Sequence, residues 1–248
     1  MFTIHHFDCL PSTNDKAMEL LRMGCGEGAV VAARSQTAGR GQQSASWESE
    51  AGKNLTFSIA LHPTFLRAAH MFYLSKAVSL GVVDLLFSQR ICATIKWPND
   101  IYVGNRKICG ILIEQSISGE HIAQSVVGVG VNVNQRAFGR APNATSMLLC
   151  DGAERELGDM LNRAVTCILN RYEALKAACR EGGNAAALER MHEEYLSHLY
   201  RRQDYHTYRC GNERFAAKIL DVEPSGELVL QKESGRVCRF WFKEVEFI

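Results

Sequence analysis

The segment Lys96-Trp97-Pro98-Asn99-Asp100 constrains the fold most, because it places charged and amide side chains directly after a short strand. Pro98 ends that strand, since proline cannot donate a hydrogen bond to a sheet ladder. Extended structure resumes at Ile101, and Gly104-Asn105 is a favourable two-residue hairpin turn. The return strand carries Lys107 ahead of an apolar run. We therefore predict a hairpin that holds Asp100 near Lys107, with a solvated surface hairpin as the alternative.

Polar and glycine-containing segments follow two predicted elements nearer the N-terminus. Ser12-Thr13-Asn14 can cap a helix over residues 15–23. The apolar strand 28–33 leads into Gln36-Thr37-Ala38-Gly39-Arg40-Gly41, where glycines on both sides of an arginine allow close approach to a carboxylate or phosphate. This loop matches neither the dinucleotide fingerprint nor the P-loop. Trp47 follows in a polar segment, which favours a stacking surface, with packing at the core edge as the alternative.

The apolar pattern between residues 54 and 199 predicts an α+β fold, with a mixed, largely antiparallel sheet and helices packed on one face. The predicted strands are 54–61, with alternate residues facing the core, and 122–133. Alternating glycines from Gly128 to Asn132 indicate that another element or a ligand approaches the second strand closely. The predicted helices have apolar stripes and cover residues 65–87, 158–180 and 185–199.

After residue 200 the pattern changes to four short strands separated by glycine-containing turns. Several short strands in fewer than 50 residues are typical of a small β-barrel or sandwich. We therefore predict two domains, a larger one over residues 1–200 and a small β domain over residues 201–248.

Charge and cysteine content bound the function. The 248 residues carry 28 basic and 27 acidic side chains, a net charge of +1, which argues against broad binding to nucleic acid or an anionic membrane. No apolar run approaches the roughly 20 residues that span a bilayer, and the N-terminus lacks the pattern of a signal peptide. Nine cysteines without a C-x-x-C pair are typical of free thiols in a reducing cytosol. We therefore expect a cytoplasmic protein.

Taken together, the motifs resemble those of the biotin protein ligase family. The match rests on Ser12-Thr13-Asn14, on residues 36–41 with Trp47, on the 96–100 segment and on Lys107-x-x-Gly110-Ile111-Leu112, with Gly128 to Asn132 as a fifth element. Order and spacing agree with the family over about residues 1 to 135. The C-terminal strands are similar, with weaker sequence signal, to the small SH3-like domain of that family.

The resemblance implies a two-step reaction with biotin and ATP as substrates and Mg²⁺ as the accompanying metal. Biotin is first activated to biotinyl-5′-AMP, and a lysine of a biotin carboxyl carrier protein then accepts the biotinyl group. The catalytic residues implied by the resemblance are Arg40, Lys107 and Asp100. Those implied for biotin are Ser12, Thr13, Gln36, Gly39, Arg40, Lys107 and Gly110. Those implied for ATP and the adenylate are Arg40, Gly41, Gln42, Trp47, Asn99, Lys107 and Asn132.

Two features stay open within this resemblance. Asp100 either holds Mg²⁺ together with Asn99 or orients the incoming lysine, and the sequence does not choose between them. The oligomeric state is also open, as monomer or homodimer.

The chain departs from the family pattern at two places. Many members carry several basic residues before the tryptophan, where this chain has Gln42-Gln43-Ser44-Ala45-Ser46. Because lost cations would weaken retention of the adenylate, we hypothesise faster release of biotinyl-AMP. The Ser-Thr-Asn motif also begins at residue 12, from which we expect no N-terminal DNA-binding domain, no repressor function and no binding to DNA.

Three other functions compete with this interpretation. Lipoate protein ligase shares the fold and the acyl-adenylate chemistry, but the 96–100 segment, the Gly-Arg-Gly loop and the C-terminal strands favour biotin. A non-catalytic protein that binds biotin or its adenylate is disfavoured by the presence of Arg40, Lys107 and Asp100 together. A regulator that binds nucleic acid would need a basic face or a helix-turn-helix, which the sequence does not indicate.

Overall fold

The protein is described from a computed structural model, which covers residues 2–42, 46–139, 141–180 and 184–248. A seven-stranded sheet forms its centre, in the order β1-β2-β3-β7-β6-β5-β4. The pair β1 and β2 is parallel and the remaining neighbours are antiparallel. The strands are β1 (Thr3–Leu10), β2 (Ala29–Gln36), β3 (Leu55–Leu61), β4 (Thr94–Lys96), β5 (Asp100–Val103), β6 (Arg106–Ser118) and β7 (His121–Val131).

Helices lie on both faces of this sheet, which corrects the expectation of one covered face. The long helices share the main core with one face of the sheet, while α1 packs through Ala17 and Leu21 on the opposite face, against Val31 and Ala60. For the same reason every residue of β3 is buried, where the sequence analysis predicted alternation. The helices are α1 (Thr13–Arg22), α2 (Phe72–Ser88), α3 (Met147–Asp151), α4 (Leu157–Cys179) and α5 (Ala185–Ser197).

The start of α2 differs from the predicted helix over residues 65–87. A 3-10 turn over Ala68–His70 precedes α2, and together the stretch Ala68–Ser88 has mean hydropathy 1.4 and is long and apolar enough to cross a membrane. The expectation that no apolar run approaches the length of a membrane span was therefore wrong. Within the 18-residue apolar window of this stretch 67% is nonetheless buried inside the protein, as expected of a helix that packs in a core. Gly81 lies within α2, where the lack of a side chain allows the backbone of α4 to approach, since a Cβ there would stand 2.7 Å from Ile168 Cα.

The C-terminal strands form a second, five-stranded antiparallel sheet in the order β11-β10-β9-β8-β12. A two-residue strand that the sequence did not indicate, β12, completes it. Within the described residues no pairing of the two edge strands closes this sheet into a barrel, although the arrangement is consistent with an SH3-like domain. The division of the chain at residue 201 stays a prediction. The strands are β8 (His206–Cys210), β9 (Glu213–Val222), β10 (Leu228–Lys232), β11 (Val237–Phe240) and β12 (Glu246–Phe247).

A buried lysine links helix α2 to helix α5 and to the second sheet. Lys76 on α2 is fully buried, with Nζ 2.7 Å from His192 Nδ1, and it donates to the Val222 carbonyl at 2.9 Å. The opposite ring nitrogen of His192 lies 3.0 Å from Asp221 Oδ1. Burial lowers the pKa of Lys76 to about 8, although the carboxylates of Asp221, Glu223 and Glu189 oppose this shift.

This burial predicts that stability rises with pH above about 8. The unfolded chain keeps the Lys76 proton up to about pH 10.4, whereas the folded chain loses it near pH 8. The unfolded state therefore binds more protons in this window. We expect the free energy of unfolding of the unmodified protein, relative to a Lys76→Met variant, to rise by on the order of 3 kcal/mol between pH 7.5 and 10.5. Urea unfolding across this range measures the difference, and parallel pH profiles for the two proteins would contradict it.

Candidate functional site

A cavity of about 650 Å³ opens between the carboxyl end of β2, the strands β5 to β7 and the C-terminal residues. It brings together most of the side chains that the sequence singled out, whereas Gly39 and Asn132 do not line it. Gln43, Ser44 and Ala45 lie outside the described residues. The predicted residues that line the cavity are Ser12, Thr13, Gln36, Arg40, Gly41, Gln42, Trp47, Asn99, Asp100, Lys107 and Gly110.

One end of the cavity is a neutral polar pole at the start of α1. Ser12 Oγ caps the helix by accepting from the Asp15 amide at 3.4 Å. The Thr13 amide donates to Gln36 Oε1 at 2.7 Å, which leaves the Gln36 amide nitrogen as the donor of that side chain. Ser58 Oγ donates to Thr13 Oγ1 at 2.7 Å or to Asn14 Oδ1 at 2.6 Å. The buried hydroxyls and amides are therefore held in fixed orientations beside the cavity.

Arg40 lies between this pole and the middle of the sheet. Its Nη2 is 2.5 Å from Asp15 Oδ1 and 3.2 Å from Glu114 Oε2. Glu114 Oε2 also accepts from Asn14 Nδ2 at 2.7 Å. Two carboxylates thus orient the guanidinium, and an arginine has five N–H donors, so it retains others for an anion.

Lys107 and Asp100 form an ion pair on neighbouring antiparallel strands, with Nζ 2.6 Å from Oδ1. The hairpin prediction is therefore confirmed, including its turn at residues 104–105. Asn99 fixes the preceding turn to β6, since its Nδ2 donates to the Ile111 carbonyl at 2.7 Å and the Ile111 amide donates to the Asn99 carbonyl at 3.0 Å. These two hydrogen bonds fix the backbone next to Asp100 and so fix the position from which its side chain extends.

The glycines of β6 and β7 form a floor on which Trp47 lies. A Cβ at Gly130 would stand 2.3 Å from Trp47 Cε2, and one at Gly110 would stand 3.0 Å from Trp47 Cζ3. The Lys107 ammonium lies 5.8 Å from the centroid of the indole. Two residues before Gly130 on β7, a Cβ at Gly128 would stand 2.1 Å from Asn14 Oδ1. The predicted close approach to alternating glycines is thus made by these two side chains.

Asn132 and Gly39 support the cavity from outside its lining. Asn132 is buried and its Nδ2 donates to the Thr145 carbonyl at 2.9 Å, while its Oδ1 has no hydrogen-bond partner among the described residues. A Cβ at Gly39 would stand 3.0 Å from the Trp47 carbonyl oxygen, so this glycine allows the loop to fold back on itself.

Sequence reasoning missed several residues that line the cavity. Lys96 and Asn14 were recognised only as members of motifs, and neither was predicted to be a site residue. Five residues near the C-terminus also form one wall, and they come from β12 and the connection between β11 and β12, where no motif marks them. Only the spatial proximity of the two sheets reveals this wall, which consists of Phe242, Lys243, Val245, Glu246 and Phe247.

Known proteins resemble this chain in sequence and in fold. The model of the biotin/lipoate A/B protein ligase family matches residues 6–132. A bifunctional ligase/repressor BirA from Bacillus subtilis is 29% identical over 242 residues, covering 94% of this chain and 70% of that protein. A biotin–[acetyl-CoA-carboxylase] ligase from Paracoccus denitrificans is 36% identical over 124 residues, covering 49% of this chain and 51% of that protein.

Among solved structures, the biotin protein ligase from Aquifex aeolicus in complex with biotin and ATP superimposes with a TM-score of 0.80. It is 22% identical, and the match covers 100% of this chain and 99% of that one. At this identity the likeness concerns the fold, and it confirms the α+β class predicted from the sequence.

Proposed function

The chain belongs to the biotin/lipoate A/B protein ligase family and is a ligase, and from this premise we propose that it attaches biotin to a carrier protein at the expense of ATP. The observation that carries the proposal is the arrangement of the cavity. A fixed, neutral, hydrogen-bonding pole stands at one end, and two cationic side chains, Arg40 and Lys107, stand farther along the same cavity.

The neutral pole suits the ureido ring of biotin. A buried ureido group must have its N–H and C=O groups paired, because an unpaired polar group is costly to bury. Thr13 offers a hydroxyl that can accept and donate, and Gln36 offers a side-chain amide that can donate. Each is held in place by a hydrogen bond to a neighbour. The ring would lie at this end, and the carboxylate on its flexible chain would extend toward Arg40 and Lys107.

The cations suit the first step. A biotin carboxylate oxygen attacks the α-phosphorus of ATP, the bond to the β-phosphate oxygen breaks, and pyrophosphate leaves with the electron pair. Arg40 and Lys107 would offset the repulsion between carboxylate and polyphosphate and stabilise charge that develops at the α-phosphate. The resulting biotinyl-5′-AMP is a mixed anhydride with an electrophilic carbonyl carbon.

Trp47 and Asn132 suit the adenine. The indole lies at the cavity floor as a stacking surface, and Asn132, just outside the lining, has a buried acceptor, Oδ1, without a described partner, which the adenine amino group would satisfy on entering beside the indole. Gly41, Gln42 and Asn99 line the same cavity and complete the proposed nucleotide site.

In the second step, the neutral amine of a carrier lysine attacks the carbonyl carbon of the adenylate, AMP leaves, and the amine loses a proton. We propose a biotin carboxyl carrier protein as the acceptor, and Asp100 as a candidate to orient the amine. Mg²⁺ would enter with ATP. Since Mg²⁺ is usually held by one or two carboxylates and substrate phosphates, Asp100 fits that ion as well, and no cluster of three ligating side chains occurs in the described part of the chain.

The proposal also includes a cytoplasmic location and no role in binding DNA. The near balance of charge, 28 basic against 27 acidic side chains, supports the second point. The proposed domains are residues 1–200 for catalysis and 201–248 for the small β domain.

Exchange of labelled pyrophosphate into ATP tests the first step directly. We expect exchange that depends on biotin, is not supported by lipoate, and is lost in Lys107→Ala. Exchange with lipoate alone would instead assign the chain to lipoate activation, which belongs to the same family. Binding of biotin without any exchange would favour a non-catalytic binding protein.

The loop after Gly41 predicts leakage of the intermediate. With glutamine at positions 42 and 43 and no basic residue from 42 to 46, fewer cations face the adenylate phosphate than in arginine-rich relatives. We expect free biotinyl-AMP to accumulate when biotin and ATP are supplied without an acceptor. Chromatography of the quenched reaction detects it, with Gln42→Arg as the variant expected to reduce release. Undetectable biotinyl-AMP in solution would reject this prediction.

A further inference from the structure

Two lysines that line the cavity have no assigned role, Lys96 and Lys243, and of these Lys243 is exposed to solvent. Lys96 is the last residue of β4 and is half-buried in the cavity wall. Its ammonium lies 4.9 Å from the ring centroid of Tyr102 and 5.4 Å from that of Phe247. Its one described hydrogen bond, 3.3 Å long, is donated to the Tyr102 hydroxyl. Burial raises the pKa of Tyr102 to about 12, so the hydroxyl stays neutral.

The two cations that the sequence predicted, Arg40 and Lys107, differ from Lys96 in having counterions. Arg40 contacts Asp15 and Glu114, and Lys107 contacts Asp100. Among the described residues, no carboxylate lies within ion-pair distance of Lys96. Two aromatic rings stabilise its charge only in part, and burial lowers its pKa, helped by the charges of Arg201 and Lys107 and opposed by Asp100. An anion in the cavity would therefore gain a positively charged partner that the protein itself leaves without a carboxylate.

The sheet places Lys96 at one end of a series of polar groups. Gln36 ends β2, Gly130 lies on β7, Lys107 lies on β6 and Lys96 ends β4. Because the sheet order runs β2-β3-β7-β6-β5-β4, Lys107 stands between Gln36 and Lys96. Neighbouring strands are about 4.8 Å apart, so Lys96 stands two strands, about 10 Å, beyond Lys107. A substrate with its neutral ring near Gln36 and its reacting phosphate near Lys107 would direct its leaving group toward Lys96.

We propose that Lys96 binds the β- and γ-phosphates of ATP and stabilises the departing pyrophosphate. This role rests on the proposed function. As the bond between the α-phosphorus and the bridging oxygen breaks, the electron pair moves to pyrophosphate, whose added negative charge the Lys96 ammonium offsets. The ammonium keeps its proton throughout. Tyr102 and Phe247 act as positioning residues that hold the lysine side chain in the wall.

The test separates the two half-reactions. In Lys96→Met, which keeps most of the side-chain volume, we expect biotin-dependent pyrophosphate exchange to fall by about 10²-fold, the effect of removing one preorganised charged donor. We expect the KM for pyrophosphate to rise. Transfer to the carrier from supplied biotinyl-AMP should stay within about twofold, because no pyrophosphate takes part in that step. Lys96→Arg should recover part of the exchange, since it keeps the charge.

A matched control is Lys218→Met. Lys218 also lies over an aromatic ring, 5.7 Å from the centroid of Tyr205, but it is on β9 and does not line the cavity. It should leave both half-reactions unchanged, and thermal unfolding should show that both variants fold.

Each other outcome has a distinct meaning. Loss of transfer from biotinyl-AMP with unchanged exchange would place Lys96 on the acceptor side and overturn the inference, as would unchanged exchange in a folded Lys96→Met variant. Equal loss of both half-reactions would indicate a structural role and overturn it too. Absence of exchange in the unmodified protein would reject the proposed function and this role with it.

Discussion

Replacement of Lys107 by alanine is expected to reduce biotin-dependent pyrophosphate exchange by about 10²- to 10³-fold, the usual effect of removing a preorganised group that stabilises developing charge. The loss has two physical causes. The ammonium no longer offsets charge at the α-phosphate, and the Asp100 carboxylate, now without its partner at 2.6 Å, adds repulsion toward the incoming phosphates. Initial rates of exchange at saturating ATP and biotin measure the effect.

A matched control for this change is Lys232→Ala. Lys232 forms an ion pair of the same length, 2.6 Å, with Glu213, and its ammonium also lies over an aromatic ring, that of Phe215. It belongs to the second sheet and does not line the cavity. The exchange rate of this variant should match that of the unmodified protein. Exchange within tenfold of normal in folded Lys107→Ala would contradict the proposed role of Lys107.

Asp100→Asn resolves the two roles left open for that carboxylate. If Asp100 assists ATP and its metal ion, exchange should fall while transfer from supplied biotinyl-AMP stays normal. If Asp100 orients the acceptor lysine, transfer should fall while exchange stays normal. If the carboxylate only positions Lys107, combining Asp100→Asn with Lys107→Ala should reduce exchange no further than Lys107→Ala alone.

Local patterns predicted the parts of the fold that depend on local physics. Pro98 and Gly104-Asn105 place a strand end and a turn by their backbone preferences alone, and the pairing of Asp100 with Lys107 follows from that geometry. The amphipathic stripe of α4 likewise predicted a helix over residues 158–180, within one residue at each end of the observed Leu157–Cys179. In both cases interactions between residues that are close in sequence determine the structure.

Patterns failed where the determining contact is distant in sequence. The burial of both faces of β3 depends on α1, which precedes it by more than 30 residues and has a short apolar face. The two-residue β12 has no periodicity to detect, yet it brings Phe247 beside Lys96. In the sequence Lys76 is one of several polar residues in a largely apolar helix. Only its hydrogen-bond partners on α5 and β9 explain how it can be buried.

The candidate site shows the same division. Motif residues lie together because a few strand ends and turns position them, so a single sequence was enough to name eleven of the residues that line the cavity. The orientation and the contacts of each side chain could not be predicted. Arg40 is oriented by Glu114, 74 residues away, and Trp47, expected in a polar loop, lies on glycines of two strands that follow much later in the chain.

The position of Trp47 leads to the second large expected effect. In Gly130→Ala the new methyl carbon would stand 2.3 Å from Cε2 and 2.4 Å from Cζ2 of the indole, well inside contact distance. β7 is paired on both sides, by β3 and β6, so its backbone is poorly able to shift. We therefore expect the indole to leave the floor. The KM for ATP should rise by about tenfold or more, which corresponds to a loss of about 1.4 kcal/mol or more in binding free energy. The KM for biotin should change less.

Fluorescence and a second substitution make this prediction specific. Displacement should increase quenching of tryptophan emission by iodide, and Trp47→Phe, with its smaller ring, should restore part of the ATP affinity to Gly130→Ala. Gly26→Ala is the control, since a Cβ there meets nothing within 4 Å. Gly128→Ala should instead reduce the free energy of unfolding by about 1–3 kcal/mol, because the new methyl group overpacks against Asn14, which a hydrogen bond to Glu114 holds in place. Unchanged quenching together with an unchanged KM for ATP in Gly130→Ala would show that the indole on this floor does not form the nucleotide site.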